Sequence, residues 1–238
     1  MSKPRAVVLL SGGLDSATCL AIARERGFDP IAISFNYGQR HKSELLAAKK
    51  LAGLAGAAHE VIAVDLAAIG GSALTADIAV PKGGAHLGAA PAIPVTYVPV
   101  RNLIFLSLAY ALAEARGAQA LFIGVNAVDY SGYPDCRPDF IEAFAKTAAL
   151  ASKIGREGRS PEIIAPLVTF SKADIAREAL RLKVPVQFTW SCYDPQLHEG
   201  FYRPCENCDA CILRRNGFAD AGYQLSKEEI FGSPLALA

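Results

Sequence analysis

Three thiols stand in register at Cys205, Cys208 and Cys211, and a fourth, Cys192, lies upstream behind a loop. Two residues between successive cysteines is knuckle spacing, which lets neighbouring thiolates turn onto one metal ion. Four thiolates complete a tetrahedral shell with no position left for water, the pattern of a structural zinc site. Asp209 is placed to start a helix through Ile212, Leu213 and Phe218, so the last two thiols lie near a helix N-terminus, where thiolate is favoured. A disulfide framework fits poorly, because such frameworks belong to small secreted domains. Cys19 falls in an apolar helix and reads as core, whereas Cys136 sits in a turn-rich segment among charged neighbours.

The second chemical stretch is Leu10-Ser11-Gly12-Gly13-Leu14-Asp15-Ser16, between an apolar strand and an Ala/Leu-rich helix. Glycines let the backbone turn tightly around a ligand, and free N–H groups at a helix start favour an anion. Ser11 and Ser16 add hydroxyl donors. Asp15 would repel phosphate if aimed at it, so it is expected to cap the helix or to hold Mg²⁺. No Gly-Lys-Ser/Thr follows, which excludes a Walker loop, and the third glycine of a dinucleotide fingerprint is missing.

The elements around these residues alternate. Ala6–Leu10 is a buried strand, a helix follows to about Arg26, and Pro30–Phe35 is the next strand. A helix over 41–56 and a strand over 60–64 continue the pattern, which implies a parallel, doubly wound α/β sheet covered on both faces. Residues 70–99 are rich in Gly, Ala and Pro and form a long loop of the functional kind. Helices are expected over 101–116 and from Asp139 to about Ile154, the second with Phe140, Phe144, Ala148 and Ala151 on one face. A strand is expected over 121–125 and a short one at Ile163-Ile164. Ser171 and Asp174 have the spacing of a helix cap. The chain divides into a nucleotide-binding α/β domain, 1–188, and a zinc-binding segment packed on it, 189–238.

The bulk composition narrows the function classes. The chain has 238 residues, 52% hydrophobic and 20% charged, with a net charge of +1. That balance leaves no electrostatic footprint for nucleic acid or an anionic membrane. The run Ala6–Leu10 is too short for the apolar core of a signal peptide. Leu103–Ala113 falls well short of the roughly 20 residues of a membrane span, but is apolar enough to serve a homodimer interface. A cytoplasmic protein handling small molecules is expected.

The Ser11–Ser16 loop resembles the SGGxDS pyrophosphate loop of ATP pyrophosphatases, enzymes that transfer AMP and release pyrophosphate. Together with Phe35–His41, Val98–Asn102, Gly124–Asp139 and the four cysteines, it is similar to the 7-cyano-7-deazaguanine synthase family over nearly the whole chain. One departure is visible: Leu197–Arg203 is longer than the family pattern leads one to expect. The resemblance implies an adenine nucleotide alpha hydrolase-like sheet with a C-terminal zinc segment built on four cysteines. It also implies ATP as co-substrate, with Mg²⁺, for converting 7-carboxy-7-deazaguanine and ammonia into the nitrile, a step towards queuosine.

On that resemblance Leu10, Ser11, Gly12, Gly13, Leu14, Asp15 and Ser16 hold the nucleotide phosphates. Asp15 and Arg101 are the catalytic candidates, Arg101 as an α-phosphate contact and otherwise as a solvent-facing helix cap. A guanine-like edge presents parallel N–H donors to a carboxylate, for which Asp129, Asp135 and Asp139 are candidates, Asp139 being also a natural helix N-cap. Tyr130 or Tyr133 would stack on the base, and Arg137 would hold a carboxylate or phosphate. Gln39, Arg40 and His41 follow the second strand at the same end of the sheet. Rival readings are a tRNA-thiolating adenylyltransferase, which needs a redox-active cysteine pair and a basic RNA surface, an ammonia-dependent amide synthetase, and a zinc-ribbon nucleic-acid module carrying a degenerate nucleotide fold.

Overall fold

Strand β1 (Arg5–Leu9) is apolar on both faces, and its alternate residues enter two separate cores. Ala6 and Val8 pack with Leu20, Phe122, Ile175 and Phe218, whereas Val7 and Leu9 pack with Phe35, Leu106, Leu121 and Phe144. Continuous apolar strands of this kind need helices on both sides. The computed structural model describes residues 2–84, 93–126 and 132–236. Within them, β2 (Asp29–Asn36), β3 (Ala58–Ala63), β4 (Ala120–Phe122) and β5 (Glu162–Ile164) join β1 in a parallel sheet of order β3-β2-β1-β4-β5. In register, Val7 pairs with Ile31 on one side and with Leu121 on the other. The chain winds outward from β1 to β3 and then returns past β1 to β4. This reversal leaves a crevice beyond the C-terminal ends of β1 and β4. The doubly wound parallel sheet expected from the alternation of elements is therefore present.

Helices α1 (Leu14–Glu25), α2 (Ser43–Ala55) and α3 (Arg101–Arg116) cover the sheet, the last with the bounds its pattern implies. Helix α4 (Pro138–Ala151) stops short of Ile154. Ser152 turns into extended backbone, and its hydroxyl caps a separate short helix, α5 (Lys153–Arg156), by accepting from Gly155 N at 3.1 Å. Phe140, Phe144, Ala148 and Ala151 share one face of α4, as expected, and with α3 they line a groove of about 450 Å³. The strand expected over 121–125 is shorter, Ala120–Phe122. Helix α6 (Lys172–Arg181) begins with a complete capping box between Ser171 and Asp174. Among the described residues, no helix is long and apolar enough to cross a membrane.

The C-terminal part adds a small antiparallel sheet of β6 (Gln196–His198), β7 (Phe201–Arg203) and β8 (Leu235–Ala236), with α7 (Asp209–Asp220) and α8 (Lys227–Phe231). The long stretch between Cys192 and Cys205 is thus folded as a hairpin. This region is welded to the sheet domain. Phe218 of α7 belongs to the core of α1, and Trp190 N–H donates to Gly12 O at 2.8 Å. Buried Arg214 is the main staple. Its guanidinium donates to Thr189 Oγ1 at 2.6 Å, Val186 O at 2.8 Å and Glu229 O at 2.9 Å, and also to Ile230 O. Burial depresses its pKa to about 10.

Replacing Arg214 strands several buried acceptors. Arg214→Met is expected to lower the unfolding free energy by about 2–4 kcal/mol in urea denaturation. A loss under about 0.5 kcal/mol, the size of an ordinary surface substitution, would contradict the staple.

Candidate active site and metal centre

The turn from β1 to α1 lies in the crevice at the sheet's reversal. Leu10 and Leu14 bury their side chains in the core, so only their backbone can face a ligand. Gly12 adopts φ +94°, and a Cβ there would stand 2.3 Å from Glu44 O. Only glycine lets the first turn of α2 pack this closely on the loop. Ser11 Oγ accepts from Gly13 N at 3.2 Å and lies 3.1 Å from Ser16 Oγ, which donates to Gly13 O at 3.0 Å. These bonds brace the turn from within. No side chain caps α1, so its leading N–H groups remain an anion-binding feature.

Asp15 does not cap the helix. Its Oδ2 accepts from Lys172 Nζ at 2.8 Å and from Asn126 Nδ2 at 2.9 Å. Gly124, beyond β4, backs this arrangement, since a Cβ there would come within 3.2 Å of the Asp15 backbone. Lys172 joins this cluster, although it is not among the residues singled out from the sequence. One signal was available: a lysine at the first position of a helix opposes the helix dipole, so it needs an anion nearby. Here that anion is Asp15.

Arg101 opens α3 directly after Val100, a β-branched residue held at φ 49° with its N–H on Tyr97 Oη at 2.9 Å. Such a conformation costs about 1–3 kcal/mol and persists only where its surroundings enforce it. The half-buried guanidinium lies 5.9 Å over the Tyr37 ring. Burial works against its charge, but Tyr37, Glu44, Tyr193 and Tyr133 more than offset this and raise its pKa. Burial likewise pushes Glu44 up, while Arg101 pulls it down. The Tyr37 hydroxyl is pushed up to about 12, chiefly by burial. Tyr133 Oη lies 3.0 Å from Thr96 Oγ1, so the end of the long loop meets the same cluster.

The other candidates fall in distinct places. Gln39 folds back on its own strand, accepting from Tyr37 N at 2.8 Å and donating to Phe35 O at 3.3 Å. Asp135 is buried and accepts the backbone N–H of Asn102 at 2.8 Å, which gives it a helix-capping duty at α3. Asn102 also donates to Cys136 Sγ at 3.0 Å. Arg137 is exposed and occupies the N-cap position of α4, while Asp139 sits in the first turn and accepts from Phe140 N at 2.8 Å. Asp129 and Tyr130 lie outside the described residues. Cys19 is fully buried in the core, and burial raises its pKa.

The four C-terminal thiols do converge. The Sγ atoms of Cys192, Cys205, Cys208 and Cys211 all lie within 4.8 Å of one another. A tetrahedron of Zn–S bonds of about 2.3 Å needs sulfurs about 3.8 Å apart, so the donor set fits a metal ion after small adjustments. Backbone N–H groups of Cys205 and Cys208 already point at sulfur, at 3.2 Å to Cys192 Sγ and 3.3 Å to Cys205 Sγ. Hydrogen bonds from neighbouring thiols hold Cys208 down at about 7 and Cys205 lower still. Lys82, from the long loop, reaches Asp194 Oδ2 at 2.5 Å, and its backbone forms a bridge with Cys208. A cation is thereby stationed beside the sulfur cluster.

Comparison with known proteins accords with this geometry. The family model for queuosine biosynthesis protein QueC matches residues 5–222. A 7-cyano-7-deazaguanine synthase of Anaeromyxobacter dehalogenans is 57% identical over 222 residues, covering 92% of this chain and 93% of that protein. Another of that name, from Gloeothece citriformis, is 52% identical over 234 residues and covers 97% of both chains. Among solved structures, an NMN synthetase from Francisella tularensis overlays with a TM-score of 0.46 at 17% identity, over 96% of this chain and 82% of that one.

The thiol geometry predicts one metal ion per chain with sulfur in every ligand position. Elemental analysis and X-ray absorption of the purified protein read this directly, and Cys208→Ser is expected to weaken retention of the ion at least tenfold. A nitrogen or oxygen ligand would remove one cysteine from the set.

Proposed function

The chain belongs to the QueC family of queuosine biosynthesis proteins, and on that premise we propose that it converts 7-carboxy-7-deazaguanine, ammonia and ATP into 7-cyano-7-deazaguanine, AMP and pyrophosphate. It is then an ATP-dependent C–N ligase. The observation that carries this reading is the braced turn at the sheet's reversal, with Lys172 held beside it by Asp15. A carboxylate is a poor electrophile, and attack by its oxygen on the α-phosphorus turns it into an acyl adenylate. Ammonia then gives the amide. A second adenylylation, on the amide oxygen, lets AMP leave and the nitrile form.

The chain's part in this is to position reactants and offset phosphoryl charge. Backbone N–H groups from Leu10 to Leu14 and the hydroxyls of Ser11 and Ser16 receive the pyrophosphate portion. Arg101 approaches the α-phosphate, with a planar donor fork suited to it. Lys172 supplies a second cation, and Asp15 is the carboxylate in reach of a Mg²⁺ ion accompanying ATP. Asp129, Tyr130, Tyr133, Asp135, Arg137 and Gln39 remain the substrate-binding set. The four cysteines hold zinc, which when bound supplies only a structural crosslink. We read residues 1–188 as the nucleotide domain and 189–238 as the zinc segment. The protein works in the cytoplasm on small molecules, without a nucleic-acid partner.

The groove between α3 and α4 supports a homodimer as the working unit. Leu103 is exposed and lines the groove with Phe140, Phe144, Ala148 and Ala151, an apolar face wide enough to be an interaction surface. Light scattering is expected to give twice the 25.2 kDa chain mass, and Ala143→Glu to return monomer. A native monomer at micromolar concentration would contradict the dimer.

Nucleotide chromatography is expected to show AMP and pyrophosphate as products, with nitrile detected by mass spectrometry. Lys172→Met should lower kcat by about 100-fold, the usual scale for removing one group that stabilises transition-state charge. ADP and phosphate as the main products would overturn the proposed activity.

A further inference from the structure

The first turn of α2 borders a cavity of about 20 Å³ whose walls include Tyr37, His41, Ser43, Glu44 and Cys192. One water-sized molecule needs roughly 10–15 Å³ of such space, so the cavity has room for one small molecule. Two buried polar atoms in these residues, His41 Nε2 and Ser43 Oγ, have no hydrogen-bond partner among the described residues. Ser43 itself is only 1% exposed. Buried polar groups are nearly always bonded, so unsatisfied atoms on residues that line a molecule-sized space mark a candidate ligand position. Other polar neighbours are committed elsewhere. The Gln39 amide is bound to its own strand, and the Arg40 head points outward to Ile78 O and Asp77.

We propose that this cavity binds the ammonia that becomes the nitrile nitrogen, with the Glu44 carboxylate, His41 Nε2 and Ser43 Oγ as its ligands. The assignment rests on the activity proposed above, which requires ammonia. The location suits that use, because the carbonyl of Glu44 is the group that packs on Gly12 of the phosphate turn. The cavity therefore lies within a helical turn of the place where an acyl adenylate forms. Arg101, the α-phosphate contact, acts electrostatically on the same carboxylate.

The wall chemistry also fits what a nitrogen nucleophile must undergo. Ammonium has no lone pair to donate and has to lose a proton first. Glu44 supplies the carboxyl group in the wall, and in its ionised form it takes that proton, for which burial raises its affinity. The positive end of α2 and the Arg101 charge disfavour a retained ammonium ion and favour neutral ammonia. Its lone pair then forms the C–N bond. The C–O bond to AMP breaks with its electrons remaining on AMP, the proton released from nitrogen passes to solvent, and Glu44 gives its own proton to solvent before the next turnover.

Two rates on the full-length enzyme test this: acid-driven exchange of pyrophosphate into ATP without ammonium, and nitrile formation titrated with ammonium chloride or methylammonium chloride. The native enzyme should catalyse the exchange, saturate with ammonium, and use methylammonium at least 100-fold less well, since no space remains for a methyl group. Ser43→Ala and Glu44→Gln should each raise the ammonium KM tenfold or more, a larger change than in the exchange rate. Ser43→Ala removes a single oxygen and keeps the helix, so it serves even if Glu44→Gln misfolds. Absence of exchange in the native enzyme overturns the activity and the ammonia site together. Exchange with an unmoved ammonium KM in the variants, or equal use of methylammonium, overturns the ammonia site alone.

Discussion

Three parts of the molecule meet at Gly12, and the rest of the site depends on that meeting. Its φ of +94° turns the chain out of β1, and its missing side chain admits the carbonyl of Glu44. Its own carbonyl accepts the Trp190 N–H at 2.8 Å, which ties the start of the cysteine segment to the same point. A side chain at this position would push α2 away, and with it Glu44, Ser43 and the neighbours of Arg101. The β1–α1 turn, the small cavity and the thiol cluster are thus held by one backbone contact set rather than by independent loops.

Charge is distributed around that point in compensating pairs. Lys172 faces Asp15, Arg101 faces Glu44, and Lys82 faces Asp194 and the cysteine sulfurs. A net charge of +1 conceals these local concentrations. Each of these cations has a carboxylate close by. On the proposed activity, such preorganisation matters because the reaction brings a carboxylate oxygen to a phosphorus surrounded by anionic oxygens, and donors already in place need no reorganisation. Arg214 is the exception, a buried cation held by carbonyl and hydroxyl oxygens, and its role is to join α7 to the Val186–Thr189 turn and α8.

Local signals were legible in the sequence and distant pairings were not. The glycine turn after β1, the bounds of α3, the capping box at Ser171 and the thiol register each depend on residues within a few positions of one another. Lys172 meets Asp15 across 157 positions, and nothing in the spacing of either residue announces the partner. Asp135 accepts the N–H of Asn102 across 33 positions, a bond that local spacing does not announce either. The β6–β7 hairpin was hidden for another reason. Its strands are three residues each and mostly exposed, so they carry no apolar alternation. The end of α4 was misread because Leu150 and Ala151 continue the helical pattern, whereas Ser152 spends its hydroxyl on the next turn.

Central to the proposed chemistry is that the carboxylate oxygens leave as part of AMP, and their fate can be followed directly. With both carboxylate oxygens of the deazaguanine acid replaced by ¹⁸O, and ammonium and unlabelled ATP supplied, mass spectrometry of the nucleotides gives the answer. Two adenylylations predict one ¹⁸O in the phosphate of each AMP and two labelled AMP molecules per nitrile, with none in pyrophosphate. Label appearing in inorganic phosphate or in water, with AMP unlabelled, would contradict this chemistry.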